Sequence, residues 1–243
     1  MSERVAGHIG IVACSAPGAA LCYEAICGVE APRRMGRYAH PEMSLHAFSF
    51  AEYVRCIEDG GWEGVARLML ASVEKVAAAG ADFAICPDNT VHQALPLVLP
   101  RSPIPWLHIV DAVVAEARRV GHTRLAVLGT KFLMEGPVYA EKVEAAGLEW
   151  RVPTAAERAA INGVIFDELV AGAITERGRA AVVGVIDRLR RDEGCDAVVL
   201  GCTELPLLVR PEQSPLPTLD STRLLAHAAV ARALDRTLLH AGD

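Results

Sequence analysis

Two short segments, GADFAICPDNT at residues 80–90 and GCDAVVLGCTE at residues 194–204, repeat one another at a constant offset of 114, with glycine on glycine, Asp82 on Asp196 and then an apolar run. The alignment sets Asp88 in the place that Cys202 holds in the second copy. A carboxylate and a thiol at equivalent positions of a duplicated chain form a pair of acid/base groups. Working from opposite sides, they could take a proton from an acidic C–H and return one to the other face, inverting a stereocentre. Small polar residues follow each, Asn89-Thr90 in one copy and Thr203-Glu204 in the other. A helix beginning there would offer free backbone N–H groups and a positive dipole end to a substrate carboxylate, and would favour a thiolate at Cys202. Such chemistry needs no metal or organic cofactor, and the chain has no CxxC or HExxH spacing for a metal.

Positioning these groups calls for short strands that alternate with long helices. Apolar runs at 8–13, 83–86, 106–108, 124–128 and 197–200 read as strands, and residues 62–79 and 155–171 carry apolar side chains at helical spacing. Alternation of this kind predicts an α/β fold with parallel sheets flanked by helices, whose ligands bind beyond the carboxyl ends of the strands. The duplication extends upstream, because GHIGIVAC at 7–14 resembles GHTRLAVLGT at 121–130. Two pseudo-symmetric lobes with an active site in the cleft between them are therefore expected. One lobe would comprise residues 1–105 with about 215–243, the other residues 106–214.

The whole-chain properties narrow the partner. A net charge of -6 and the absence of a Lys/Arg run disfavour nucleic acid. Apolar residues make up 52% of the 243, yet no uninterrupted stretch of about 18 suggests a membrane span. The N-terminus lacks the apolar core and cleavage site of a secretion signal, and seven cysteines in mostly apolar surroundings suit buried thiols in a reducing compartment. A small-molecule substrate and a cytoplasmic location are the expectation.

Each residue singled out also has a plain structural reading. Cys22, Cys27, Cys56, Cys86 and Cys195 read as small buried hydrophobes. Cys86 lies two residues before Asp88 and, with strand period two, points the same way one step deeper. Asp88 could cap the following helix, Glu204 could simply favour a helix dipole, and His92 and His108 could be satisfied structural groups. Asp220, with Ser221 and Thr222, reads as the cap of the last helix.

LGCTELPLLV around Cys202 resembles the second cysteine motif of the aspartate/glutamate racemase superfamily, and DNTVH at 88–92 resembles its first, usually a cysteine followed by Asn-Thr. Further similar stretches are the turn around Ala13 to Pro17, SFAEY at 49–53, LGTKFLM at 128–134, VIFDELVAG at 164–172 and LDST at 219–222. The resemblance spans nearly the whole chain and implies an isomerase, a pyridoxal-phosphate-independent amino-acid racemase with a carboxylated substrate, frequently dimeric. By the same resemblance Cys202 takes the second catalytic position. Asn89, Thr90, Thr203 and Glu204 flank the two catalytic positions, and Ser15 and Thr130 sit on strand-end turns that help hold substrate. The sequence departs from the pattern twice: Asp88 replaces the first cysteine, and Ala-Cys-Ser-Ala-Pro stands where a glycine-rich turn is common.

The aspartate leaves the reaction open. Ordinary pKa values of about 3.9 for Asp and about 8.5 for Cys make the carboxylate the weaker base by roughly 6 kcal/mol. An even two-base racemase would need Asp88 shifted upward, which burial beside a substrate carboxylate would favour. Two alternatives remain: a related lyase or isomerase, such as a decarboxylase with Cys202 as sole proton donor, and a non-catalytic binding protein that closes on its ligand. No arginine is placed by motif to bind a distal carboxylate, though Arg34 and Arg55 are available.

Overall fold

The structure, a computed structural model, describes residues 6–235. The chain divides into two compact units: one takes the residues up to Ile109 together with those from Leu225, the other is Val110–Leu224. The division falls several residues beyond the boundaries read from the sequence, because the short strand at 106–107 pairs inside the first sheet and the one at 218–220 inside the second.

The first unit holds a four-stranded parallel sheet of β1 (Ile9–Ala13), β2 (Met43–Ala47), β3 (Phe83–Ile85) and β4 (Trp106–Leu107), in the order β2-β1-β3-β4. The second holds β5 (Arg124–Leu128), β6 (Glu149–Arg151), β7 (Ala197–Leu200) and β8 (Thr218–Asp220), in the order β6-β5-β7-β8. The two orders are the same topology, and all pairings are parallel. Parallel neighbours need crossover connections, which the intervening helices supply. In each sheet the chain leaves the first strand toward one edge and returns on its other side, so the topological switch point lies between β1 and β3, and between β5 and β7. Ligands bind at that crevice, past the strand ends, in open sheets of this kind.

The central strands are buried end to end, apart from half-buried Arg124 at the start of β5, and are apolar almost throughout, as strands covered on both faces must be. Helix Trp62–Ala78 presses Met69, Val73 and Val76 onto the first sheet's core, which also contains Val12, Cys14, Tyr53 and Cys86. In the second unit Val182, Ile186 and Leu189 of helix Glu176–Glu193 pack with Val198 and Leu200. The helix expected over 155–171 is regular only over Ala155–Gly163 and widens to π-helix at Val164–Leu169. None of the helices among the described residues is long and apolar enough to cross a membrane.

The register sharpens the duplication. Ile9 pairs with Phe83, and Leu125 with Ala197. The third strand of each sheet thus keeps the offset of 114 (197 − 83), whereas the first strand repeats at 116 (125 − 9). The repeated aspartates sit at the amino ends of their strands, away from the crevice. Asp82 accepts the His8 N–H at 2.6 Å. Asp196 accepts the Thr123 N–H and hydroxyl, each at 2.7 Å, and the Arg124 N–H at 3.2 Å. The repeated glycine ends the preceding helix: Gly194 is left-handed at φ 67°, a conformation that costs a side-chain-bearing residue about 1 kcal/mol.

Candidate active site

Every sequence-derived site residue lies at one of the two switch points. In the first unit β3 ends at Ile85, and Cys86, Pro87, Asp88, Asn89 and Thr90 follow. Asp88 is half-buried, whereas Cys86, Asn89 and Thr90 are buried. In the second unit β7 ends at Leu200, Cys202 is half-buried, and Thr203 and Glu204 are buried. The exposure pattern repeats position by position, with Asp88 and Cys202 each the accessible member of its turn.

The turns after the first strands complete each crevice. Ser15 is the N-cap of helix Ala16–Glu24, its hydroxyl accepting the Gly18 N–H at 3.3 Å. Thr130 caps helix Lys131–Glu135 in the same way, accepting the Leu133 N–H at 3.2 Å. These caps anchor both side chains on rigid elements beside the strand ends. In the second unit the two turns nearly touch. The Gly201 N–H donates to the Leu128 carbonyl at 2.7 Å, and a Cβ on Gly129 would come within 3.2 Å of the Gly201 oxygen.

Glu204 is a shared acceptor. Its Oε2 receives the Thr203 hydroxyl at 2.7 Å and the Cys202 thiol at 3.0 Å. The thiol therefore has a defined partner and a defined direction, with a carboxylate on its buried side.

The helices expected to follow the two key residues are short. Thr90–Ala94 is 3₁₀ and continues as Leu95–Val98 and a further 3₁₀ turn, Leu99–Arg101, whereas only Leu205–Leu208 follows Cys202. Pro96 and Pro206 are tolerated in first turns but donate no N–H, and an extended Ser102 and an extended Val209 end the runs. The four-residue helix after Cys202 carries little macrodipole, so the strong helix-end field expected at the thiol is not built there, and the thiol instead donates to Glu204.

The other candidates resolve locally. The ring Nε2 of buried His92 donates to the Cys86 carbonyl at 2.9 Å, and its ring meets that of His108 edge-on at 4.4 Å. His92 thus braces the turn carrying Asp88. Arg34 engages His227, its Nη2 lying 2.7 Å from the ring. Asp220 accepts the Thr222 and Arg223 N–H groups at 3.1 Å and so caps helix Ser221–Ala233.

Two residues beside Asp88 escaped the sequence reading. The buried Cys14 thiol lies near the Asp88 side chain. Burial, and then the neighbouring Asp88 and Cys86, push that thiol well above the ordinary cysteine range. Tyr53, fully buried, lies in the same core cluster, and its hydroxyl has no hydrogen-bond partner among the described residues. Burial, with Cys86, Cys14 and Asp88 nearby, pushes its phenol up as well. The Cys86 thiol is also raised, first by burial and then by Asp88.

A family profile described as Asp/Glu/Hydantoin racemase matches residues 17–229. The chain belongs to that family. Among solved structures, the racemase is similar to a Yersinia pestis protein determined as a candidate Asp/Glu racemase, at 28% identity and a TM-score of 0.86, covering 94% of this chain and 100% of that one. It is also similar to an aspartate racemase homologue from Pyrococcus horikoshii OT3, at 28% identity and a TM-score of 0.82, with 93% and 99% covered. The aspartate racemase of Picrophilus torridus, 18% identical with 93% and 94% covered, shares the fold at a TM-score of 0.74. The racemase is accordingly an isomerase of the amino-acid racemase type.

Proposed function

We propose that the protein racemises a free acidic amino acid, aspartate or glutamate, with Asp88 and Cys202 as its two proton-transfer groups and without a cofactor. One observation carries the reading: these two residues hold the same half-exposed position after the central strand of two sheets with the same topology. In one direction the Asp88 carboxylate takes the α-proton and the Cys202 thiol delivers one to the opposite face of the carbanion. In the other direction the Cys202 thiolate abstracts and the Asp88 carboxylic acid delivers. Proton count balances over each turnover, and the protein is left in the state that serves the opposite enantiomer. Ser15, Asn89, Thr90, Thr130, Thr203 and Glu204 are assigned to substrate binding, with Glu204 also directing the Cys202 thiol through the 3.0 Å contact. The acidic side chain is suggested by the name of the Pyrococcus relative. A homodimeric state, which rests on the resemblance, and a cytoplasmic location, which rests on seven cysteines in mostly apolar surroundings, belong to the same proposal.

Proton NMR of the Cα–H signals of L- and D-aspartate and L- and D-glutamate in deuterated buffer, followed by chiral chromatography, tests the reading. Loss of signal with appearance of the opposite enantiomer, abolished in Cys202→Ala, is expected. Exchange with retention would reduce the protein to a one-base enzyme and favour the lyase or isomerase alternative. No exchange with either amino acid would overturn the assigned substrates.

A further inference from the structure

The peptide unit that leads into Cys202 is held from both sides. Its carbonyl, that of Leu200 at the end of β7, accepts the Ser221 hydroxyl at 3.0 Å. Its N–H, that of Gly201, donates to the Leu128 carbonyl of β5 at 2.7 Å. A peptide unit is planar, so bonds at its two opposite edges fix its orientation. β5 and β8 flank β7, and Leu200 pairs with both Leu128 and Asp220. Ser221, fully buried and one residue past that pairing, is therefore placed to reach back across the strand end.

The first unit holds the equivalent peptide differently. At the offset of 114, Leu200 corresponds to Cys86 (200 − 86) and Gly201 to Pro87 (201 − 87). The Cys86 carbonyl also meets a buried side chain, His92, whose Nε2 donates to it at 2.9 Å. Pro87 has no N–H to anchor, but its ring fixes its own φ at about −65°. The donors have exchanged places. At the same offset His92 falls on Pro206 (206 − 92), which carries no side-chain donor. Ile85 pairs with Leu107 and Val199 with Leu219, so Ser221 falls on apolar Ile109. Each unit thus keeps a buried donor on the carbonyl two residues before its proton-transfer group, supplied from a different element. In the second unit the need is greater, because Gly201, the most permissive residue type in φ and ψ, stands directly before Cys202.

We propose that Ser221 is a positioning residue for Cys202, its hydroxyl locking the Leu200–Gly201 peptide from which the thiol takes its place. The inference rests on the proposed function for its catalytic meaning, but the brace itself is testable without turnover. The test compares Ser221→Ala, which removes the hydroxyl and adds nothing to the core, with Ser221→Thr, which keeps it. Hydrogen–deuterium exchange of the Gly201 amide, read by NMR, should run about fivefold faster in Ser221→Ala, the equivalent of one net hydrogen bond, and near the wild-type rate in Ser221→Thr. The same loosening, if it displaces Cys202 by about a third of an ångström, should lower kcat for racemisation roughly fivefold and leave KM unchanged. Ser221→Thr should restore kcat. A Gly201 amide that exchanges at the wild-type rate in Ser221→Ala overturns the brace, whatever Ser221→Thr does. A faster amide with an unchanged kcat overturns the positioning role and leaves Ser221 a structural residue. A faster amide in Ser221→Ala, when the wild type exchanges no α-proton, overturns the proposed function instead, and the brace stands.

Discussion

The close approach of the two turns in the second unit makes Gly129→Ala an informative substitution. The new Cβ would lie 2.6 Å from Leu133 Cδ2, 3.2 Å from the Gly201 oxygen and 3.4 Å from its carbonyl carbon. Comfortable carbon contacts begin near 3.5 Å. Leu133 is 1% exposed and has little room to rotate away. Overpacking a site of this kind costs about 1–3 kcal/mol. Taking about 2 kcal/mol, and roughly 2–4 °C per kcal/mol for a chain of this size, the melting temperature should fall by about 4–8 °C. Part of the strain should relax by moving the Gly201 turn a few tenths of an ångström, and Cys202 moves with it. If a full ångström of misplacement costs about 100-fold in rate, a third of that costs roughly fivefold. Differential scanning calorimetry and initial rates of racemisation read the two effects. Loss of stability with an unchanged rate would place the relaxation at Leu133 alone. Unchanged stability and rate together would refute the argument that this contact sets the position of Cys202.

Two further outcomes follow from groups other than the proton-transfer pair. Burial alone would raise the Asp196 carboxyl, but the Thr123 hydroxyl and N–H, the Arg124 N–H and nearby His122 hold it below the ordinary range. A depressed carboxylate stabilises the fold above its unfolded pKa of about 4, and that contribution disappears as pH falls through the folded value. Asp196→Asn should therefore cost about 1–2 kcal/mol at pH 7, a range discounted for partial exposure, and progressively less as the pH drops below about 4. Urea unfolding across that range checks it, and a difference independent of pH would count against the linkage. Tyr53→Phe removes a buried hydroxyl that has no partner, so the variant should be more stable by about 1 kcal/mol, a gain of about 2–4 °C. A loss of stability would mean that the hydroxyl is satisfied in solution.

The parts of the fold that were legible are those buried on both faces. β5 and β7 match their sequence-predicted ranges, and β1 and β3 differ only at their ends, because central parallel strands read as continuous apolar runs. The missed strands, β2, β6 and β8, all lie at sheet edges. There, MSLHA alternates between partly buried and exposed positions, and EWR and TLD are too short to show a period. The helix over 155–171 was legible as apolar spacing, but its π-helical half was not, since i→i+5 bonding leaves little trace in periodicity. At the site, Asp88 and Cys202 were legible because the internal repeat places both at strand ends. Cys14 was not: 74 residues separate it from Asp88 (88 − 14), and only the pairing of β1 with β3 makes them neighbours.

Asp82 and Asp196 tie down the amino ends of their strands, while Asp88, Cys202 and their neighbours crowd the carboxyl ends. Each sheet thereby separates durability from reactivity along the length of a few residues. A lineage of such proteins can exchange a thiol for a carboxylate at one end, trying new substrates or new proton inventories, while the fastening at the other end goes on making a foldable chain. The same division suits the laboratory. Libraries confined to residues 86–90 and 201–204 sample chemistry on a frame whose cohesion is anchored elsewhere.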